Sequence, residues 1–282
     1  MVKIKKFLRT KLVFLLFLVL IIPSFSKLIR PGYFPMHDDL QAVRLLQMDK
    51  CIKDGQIPCR WVPDMGYGYG YPQFNYYNPL PYYLMEGSHL LGLGYLDSIK
   101  LGFIASVLVS AVGMFLLGKS LWGTTGGFIS GLLYTYAPYR AVDIYVRGAM
   151  GEVWAFAFLP LIFYSGREVV KGKRKAIVWL ALSLAALFTS HNITSLIFMP
   201  VFFGWVFFLY VRRYGSPISN LRKELKNVFL AVFWGFAISA FFLLPAWLER
   251  QFVHIETLLQ GYFNYLAHFV SLGQLLFSNY WG

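Results

Sequence analysis

Residues 12–29 read LVFLLFLVLIIPSFSKLI, eighteen positions with Lys27 as their one charge. The hydrocarbon core of a bilayer is about 30 Å thick, and a helix needs about 20 mainly apolar residues to cross it. Runs of the same kind lie at 98–118, 122–138, 149–166, 176–191, 193–211 and 227–248. Lipid offers no partner for backbone N–H and C=O groups, so such runs are read as helices. The expected fold is all-α, a polytopic transmembrane helix bundle of about seven spans with a long first extracytoplasmic loop that contains interfacial helices. Composition agrees, because only 14% of the residues are charged, against about 25% in soluble domains. The first run is expected to be retained, since Ser24-Phe25-Ser26-Lys27 lacks a small-x-small cleavage site.

The formal net charge of +13 invites a nucleic-acid reading, which the placement of the charges removes. Sixteen basic residues lie before the first run, at Lys119, in 167–175 and in 212–226, where Glu168 and Glu224 are the acids. The remaining segments hold 10 basic and 11 acidic residues. This is the positive-inside pattern of an integral plasma-membrane protein with a cytoplasmic N-terminus. No nucleic-acid partner is needed. The arrangement requires 79–94 not to cross; as a helix it reaches only about 24 Å, and it carries Glu86 and His89.

One membrane domain, 1–282, is the simplest description, with an outer loop at 30–97 and an outer tail at 249–282. The tail holds His254, Glu256, His268 and an aromatic end, Asn279-Tyr280-Trp281-Gly282, with no terminating element, so the chain reads as cut short. In the outer loop, Asp38 or Asp39 is expected to cap a helix running to about Asp54, with Gly55 as its stop. Cys51 and Cys59 both fall in this loop. They form a disulfide if the compartment is oxidising and remain two thiols otherwise.

Four groups of residues can carry chemistry. His37-Asp38-Asp39 places two carboxylates beside a membrane, where charge is expensive unless it has a task. Capping needs only one acid; the pair serves as a general base or as ligands for a divalent cation such as Mg or Mn. Arg140, Asp143, Arg147 and Glu152 form the second group: arginines grip phosphate through paired hydrogen bonds, but the five-position spacing of Arg147 and Glu152 equally suits a structural ion pair. Ser190-His191-Asn192 sits at a turn between two runs. Asn192-Ile193-Thr194 matches a glycosylation acceptor but lies too close to the membrane to act as one. The fourth group, Gly66 to Tyr83, alternates tyrosines with Gly, Asn and Pro. Aromatic faces there suit a sugar or an isoprenoid chain, and equally a membrane-interface belt.

Pro35–Leu84, with His37-Asp38-Asp39, Asp54-Gly55-Gln56-Ile57-Pro58, Gly66-Tyr67-Gly68-Tyr69-Gly70 and Asn78-Pro79-Leu80-Pro81, resembles the membrane proteins called 6-pyruvoyl-tetrahydropterin synthase-related. These are similar in turn to C-type glycosyltransferases. Arg147-Gly148-Ala149-Met150-Gly151-Glu152 and Ser190-His191-Asn192 extend the likeness over most of the chain. The resemblance implies a sugar donor on a polyprenyl phosphate and a catalytic acid in the first outer loop. It does not imply pterin chemistry, because no cluster of histidines suggests a zinc site. C-type enzymes usually continue through more spans.

The expected activity is therefore sugar transfer on the extracytoplasmic face. Asp38 or Asp39, aided by His37 or a metal, is the base. Arg140, Arg147, Glu152, His191, Asn192, Tyr69, Tyr76 and Asn78 hold the substrates, and the acceptor is left open. The alternative is a non-catalytic carrier or export protein for lipid-linked glycans.

Overall fold

In the computed structural model, residues 2–214, 218–254, 256, 260–261 and 264–277 are described. The aromatic end at 279–282 lies outside them. The described elements are helical: α1 (Val2–Ile21), α2 (Gln41–Lys53), α3 (Gln73–Tyr76), α4 (Leu80–Leu90), α5 (Tyr95–Thr135), α6 (Pro138–Val142), α7 (Met150–Val170), α8 (Lys175–Phe188), α9 (Asn192–Tyr214), α10 (Ile218–Leu248) and α11 (Leu272–Phe277). Packing divides the chain into two units, Met1–Leu243 and Leu244–Gly282. In the second, a short 3-10 turn at Tyr265–His268 is capped by the Asn264 side chain, which accepts from the Leu266 N–H, and α11 follows.

Five stretches of the described residues are long and apolar enough to cross a membrane: Thr10–Ile29, Tyr95–Thr135, Met150–Val170, Asn192–Arg213 and Leu225–Phe252. The expected count of about seven is not confirmed, and it differs from these five stretches at two places. The runs at 98–118 and 122–138 fall in the two arms of α5, which is broken at Gly123, where φ is 79° and ψ is −173°. A side chain would be strained there, and glycine is not. The chain reverses at this point. A Cβ added to Gly127 would lie 2.6 Å from the Phe115 carbonyl oxygen, and one added to Gly131 would lie 3.5 Å from that of Ala111, so the arms run antiparallel in close contact. Between lipid-embedded helices such small residues supply the attraction, because they let backbones approach. The other place is α8, whose 14 residues make a shorter apolar helix.

Contacts between chain segments gather the connecting loops at one end of the first unit. The Tyr136 and Tyr145 hydroxyls donate to the Leu20 and Ser24 carbonyls after α1, and Lys100 donates to that of Arg30. The Leu80 N–H reaches the Thr189 carbonyl, and Arg60 reaches that of Phe241. The basic residues Arg167, Lys171, Arg212 and Arg213 lie at the far ends of α7 and α9.

Local structure in the outer loop corrects one expectation. Helix α2 begins at Gln41 after Leu40, with no side-chain cap, so neither Asp38 nor Asp39 is spent on its N-terminus. Its other end closes as expected at Gly55, whose N–H bonds the Ile52 carbonyl while Gln56 bonds that of Cys51. Cys51 and Cys59 are joined in a disulfide. Helix α4 spans only 11 residues, too short to cross.

Candidate functional site

The site is founded on a main-chain pairing. The His37 and Asp38 N–H groups donate to the Val146 and Arg147 carbonyls, both at 2.8 Å. The second strand of this pairing is the end of a π-helical turn, Asp143–Arg147, which closes on Gly148 in the left-handed region (φ 66°). A Cβ on Gly148 would collide with Met36, so glycine is required both for its conformation and for the approach of the two segments. Helix α7 then starts at Met150, and its first turn abuts the Ser190 carbonyl at Gly151.

Asp38 projects from this pairing into a fixed set of donors. Arg44 Nη1 reaches both of its oxygens, at 2.9 and 2.7 Å, and Gln41 Nε2 donates to Oδ2 at 2.9 Å. Gln41 also donates to the Gly148 carbonyl and accepts from the buried Tyr82 hydroxyl at 2.6 Å. A carboxylate has about four acceptor positions. The three bonds leave one on Oδ1. Arg44 lies 4.5 Å over the Tyr77 ring, which fixes the guanidinium in turn.

Arg147 Nη1 lies 2.7 Å from Asp143 Oδ1, 2.7 Å from Glu152 Oε2 and 2.8 Å from the Tyr139 oxygen. The Tyr139 hydroxyl donates to Glu152 Oε1 at 2.6 Å. Burial, then the bond to Glu152, raises the Tyr139 pKa, so it stays a hydroxyl. Asp143 is fully buried; desolvation and then the Glu152 charge push it up to about 7, against the pull of Arg147 and Arg140. The arginine therefore carries two acids, one of which titrates near neutrality.

The third component is the turn before α9. His191 Nδ1 lies 2.7 Å from the Thr194 hydroxyl and accepts from the Thr194 N–H at 3.3 Å, which leaves Nε2 for a ligand. Burial lowers the His191 pKa, with Glu152 opposing and Arg147 reinforcing, so the ring is neutral near pH 7. Asn78 donates to the Asn192 side chain at 3.3 Å, stitching this turn to the loop before α4.

These components surround one cavity of about 350 Å³, lined by His37, Asp38, Tyr77, Asn78, Arg147, Glu152, His191 and Asn192 among others. Beside it, sharing Asn192, runs an apolar groove of about 410 Å³ with walls from Phe188 of α8, Leu196, Met199 and Phe203 of α9, and Val232 and Phe236 of α10.

Several expected residues lie elsewhere. Asp39 is exposed and does not line the cavity. Arg140 is 5% exposed and sits over the Tyr134 ring, behind the cavity rather than on its wall. Tyr69 is 89% exposed, and Tyr76 contributes its main-chain carbonyl to Asn192. Of the remaining histidines, His89 stacks on Tyr95 at 4.0 Å, and His254 pairs with Glu256 in the second unit. Gln41, Arg44 and Tyr139 take structural places in the site that the sequence did not mark, and of the Gly66–Tyr83 aromatic group Tyr77 lines the cavity.

A divalent cation fits these residues poorly. No three His, Cys, Asp or Glu side chains among the described residues come together to hold a metal. The cavity's two carboxylates, Asp38 and Glu152, are each already matched by an arginine.

A family model described as "6-pyruvoyl-tetrahydropterin synthase related domain; membrane protein" matches residues 74–273. The chain belongs to this family of membrane proteins. The matched span contains Tyr77, Asn78, Arg147, Glu152, His191 and Asn192, whereas His37 and Asp38 precede it and join the site through the main-chain pairing. The chain is also similar to an uncharacterised protein of Lactococcus lactis subsp. cremoris (strain MG1363), with 26% identity over 232 residues. That alignment covers 78% of this chain and 35% of the relative, so the chain spans about a third of that protein's length. No solved structure matches.

Proposed function

We propose that the protein is a membrane glycosyltransferase of C-type architecture, which moves a sugar from a polyprenyl-phosphate donor to an acceptor hydroxyl on the extracytoplasmic face. The observation that carries this reading is the junction at Asn192, where a polar cavity lined by Asp38, Arg147 and Glu152 adjoins an apolar groove between spanning helices. A ligand with a charged head and a long hydrocarbon tail meets both environments. A soluble sugar nucleotide would leave the groove unused. The Cys51–Cys59 disulfide supports the outward orientation, since such bonds persist in oxidising compartments.

In this mechanism Arg147 faces the donor phosphate, and Asp38 Oδ1 takes the proton of the acceptor hydroxyl as its oxygen attacks the anomeric carbon. The bond from that carbon to the phosphate oxygen breaks, and its electron pair leaves with polyprenyl phosphate. Charge growing on the phosphate is met by the fixed Arg147 cation, and a neutral His191 Nε2–H supplies a further hydrogen bond. Single displacement inverts the anomeric centre. Arg44 and Gln41 hold the base in place. The donor set argues for a reaction without a metal, and no step is routed through one.

The test is transfer of labelled sugar from polyprenyl phosphate by the full chain in liposomes, with Asp38→Asn as the comparison. Turnover that depends on Asp38 is expected. Donor binding without turnover would instead identify a carrier of lipid-linked glycans.

A further inference from the structure

At the opposite end of the first unit, a second hollow of about 380 Å³ opens between the C-terminal turns of α7 and α9. Arg167 and Lys171 reach it from α7, and Arg212 and Arg213 from α9. Its other walls are apolar, with Leu121 from the reversal of α5 and Leu209 from α9. The adjacent acid is Glu168, buried at 5% exposure, which lies 3.3 Å from Arg167 and 2.7 Å from Lys171 and also pairs with Lys173. Among the described residues, Glu168 pairs with Arg167, Lys171 and Lys173 at this end, while Arg212 and Arg213 of α9 line the same hollow.

The positive-inside bias explains why cations occupy this end of the chain. It does not explain their convergence from two helices on a recess with apolar walls. We propose that this recess binds the phosphate of an anionic phospholipid. The phosphate would rest between guanidinium groups of α7 and α9, which match its oxygens with paired N–H donors. The acyl chains would lie against Leu121 and Leu209. Basic recesses between spanning helices suit such headgroups. The apolar walls favour a lipid over soluble phosphate, which would leave them uncovered. This site is separate from the Asp38 cavity, so its test does not depend on transferase activity.

The experiment uses the full chain, purified in mild detergent and exposed to an equal mixture of phosphatidylglycerol and phosphatidylcholine. Retained lipid is counted by native mass spectrometry. Preferential retention of phosphatidylglycerol is expected, falling about fivefold for each arginine removed in Arg212→Gln and Arg213→Gln. Equal retention of both lipids overturns the proposal, as does a preference that survives the double substitution. Displacement of the lipid by inorganic phosphate at concentrations that leave ionic strength unchanged assigns the recess to a soluble anion and overturns the lipid assignment. Should the double variant fold poorly, each single variant carries the same comparison.

Discussion

The Asp38 N–H donates to the Arg147 carbonyl at 2.8 Å, so an acid and a cation that both line the cavity issue from one main-chain pairing. Their relative position is set by backbone atoms, which no side-chain substitution removes. Exchanging either side chain therefore tests its chemistry with little risk of displacing the other.

Asp38→Asn is expected to lower turnover by about 10²–10⁴-fold, the usual contribution of a positioned base. Asp39→Asn should stay within about twofold, as an exposed substitution does. Initial rates of sugar transfer for the two variants check this. Equal losses would remove the distinction between them.

Arg147→Gln deletes the cation proposed to meet the donor phosphate and leaves Glu152 and Asp143 without their shared partner. A hydrogen bond to a charged group contributes about 1.5–3 kcal/mol. Donor affinity should therefore fall by roughly 10- to 100-fold by the same figure. Titration with a non-transferable donor analogue reads this directly, and unchanged affinity would place the phosphate elsewhere.

On the proposed function, Asp143 should make donor binding depend on pH. Its pKa is raised to about 7, so it is largely neutral below that value and ionised above it. Once ionised, it competes with the donor phosphate for Arg147. Donor KM should rise as pH increases from 6 to 8 in the wild type, while Asp143→Asn should flatten that rise. For stability the sign is the same: a folded pKa above the unfolded one favours the fold at low pH, and this advantage is lost as pH climbs toward 7.

Gly151→Ala drives a Cβ to 2.6 Å from the Ser190 carbonyl oxygen, so the start of α7 must move away from the His191 turn. A cost of about 1–3 kcal/mol is expected, as for other overpacked contacts, together with loss of transfer. Gly87→Ala in α4 meets nothing within 4 Å and serves as the control. It should hold or slightly raise stability. Thermal unfolding followed by tryptophan fluorescence distinguishes the two.

Glu86 is fully buried beside Asp49, and burial followed by the Asp49 charge pushes it up to about 7. The fold is favoured while Glu86 holds its proton and loses that advantage as pH rises through about 7. Glu86→Gln should therefore raise Tm by a few degrees at pH 8 and by less at pH 5. A difference that grows toward low pH would refute the assignment.

Much of this site was legible because charge beside lipid is costly. Asp38, Arg147 and Glu152 stood out as ionisable groups at the ends of apolar runs, and they meet in one cavity. Arg44 did not stand out. Its role depends on which face of α2 is buried, and the apolar residues of that helix form no stripe. The tyrosine-rich loop misled for a related reason, since composition marks a loop as aromatic without saying which ring turns inward. Tyr77 lines the cavity, while Tyr69 faces outward. At Gly123 the two apolar runs meet in a reversal, and the five stretches long enough to cross count them as one. The arm after it holds 12 residues, 124–135, or about 18 Å of helix, too short to qualify by itself.

The groove that shares Asn192 with the cavity has exposed apolar flanks, including Leu196 and Phe236 on adjacent spans. A lipid-linked donor bound there, as proposed, would arrive sideways, by two-dimensional diffusion within the leaflet. Its saturation is then governed by mole fraction among the surrounding lipids, so diluting proteoliposomes with buffer leaves the rate per enzyme unchanged, whereas diluting the donor with inert phospholipid lowers it.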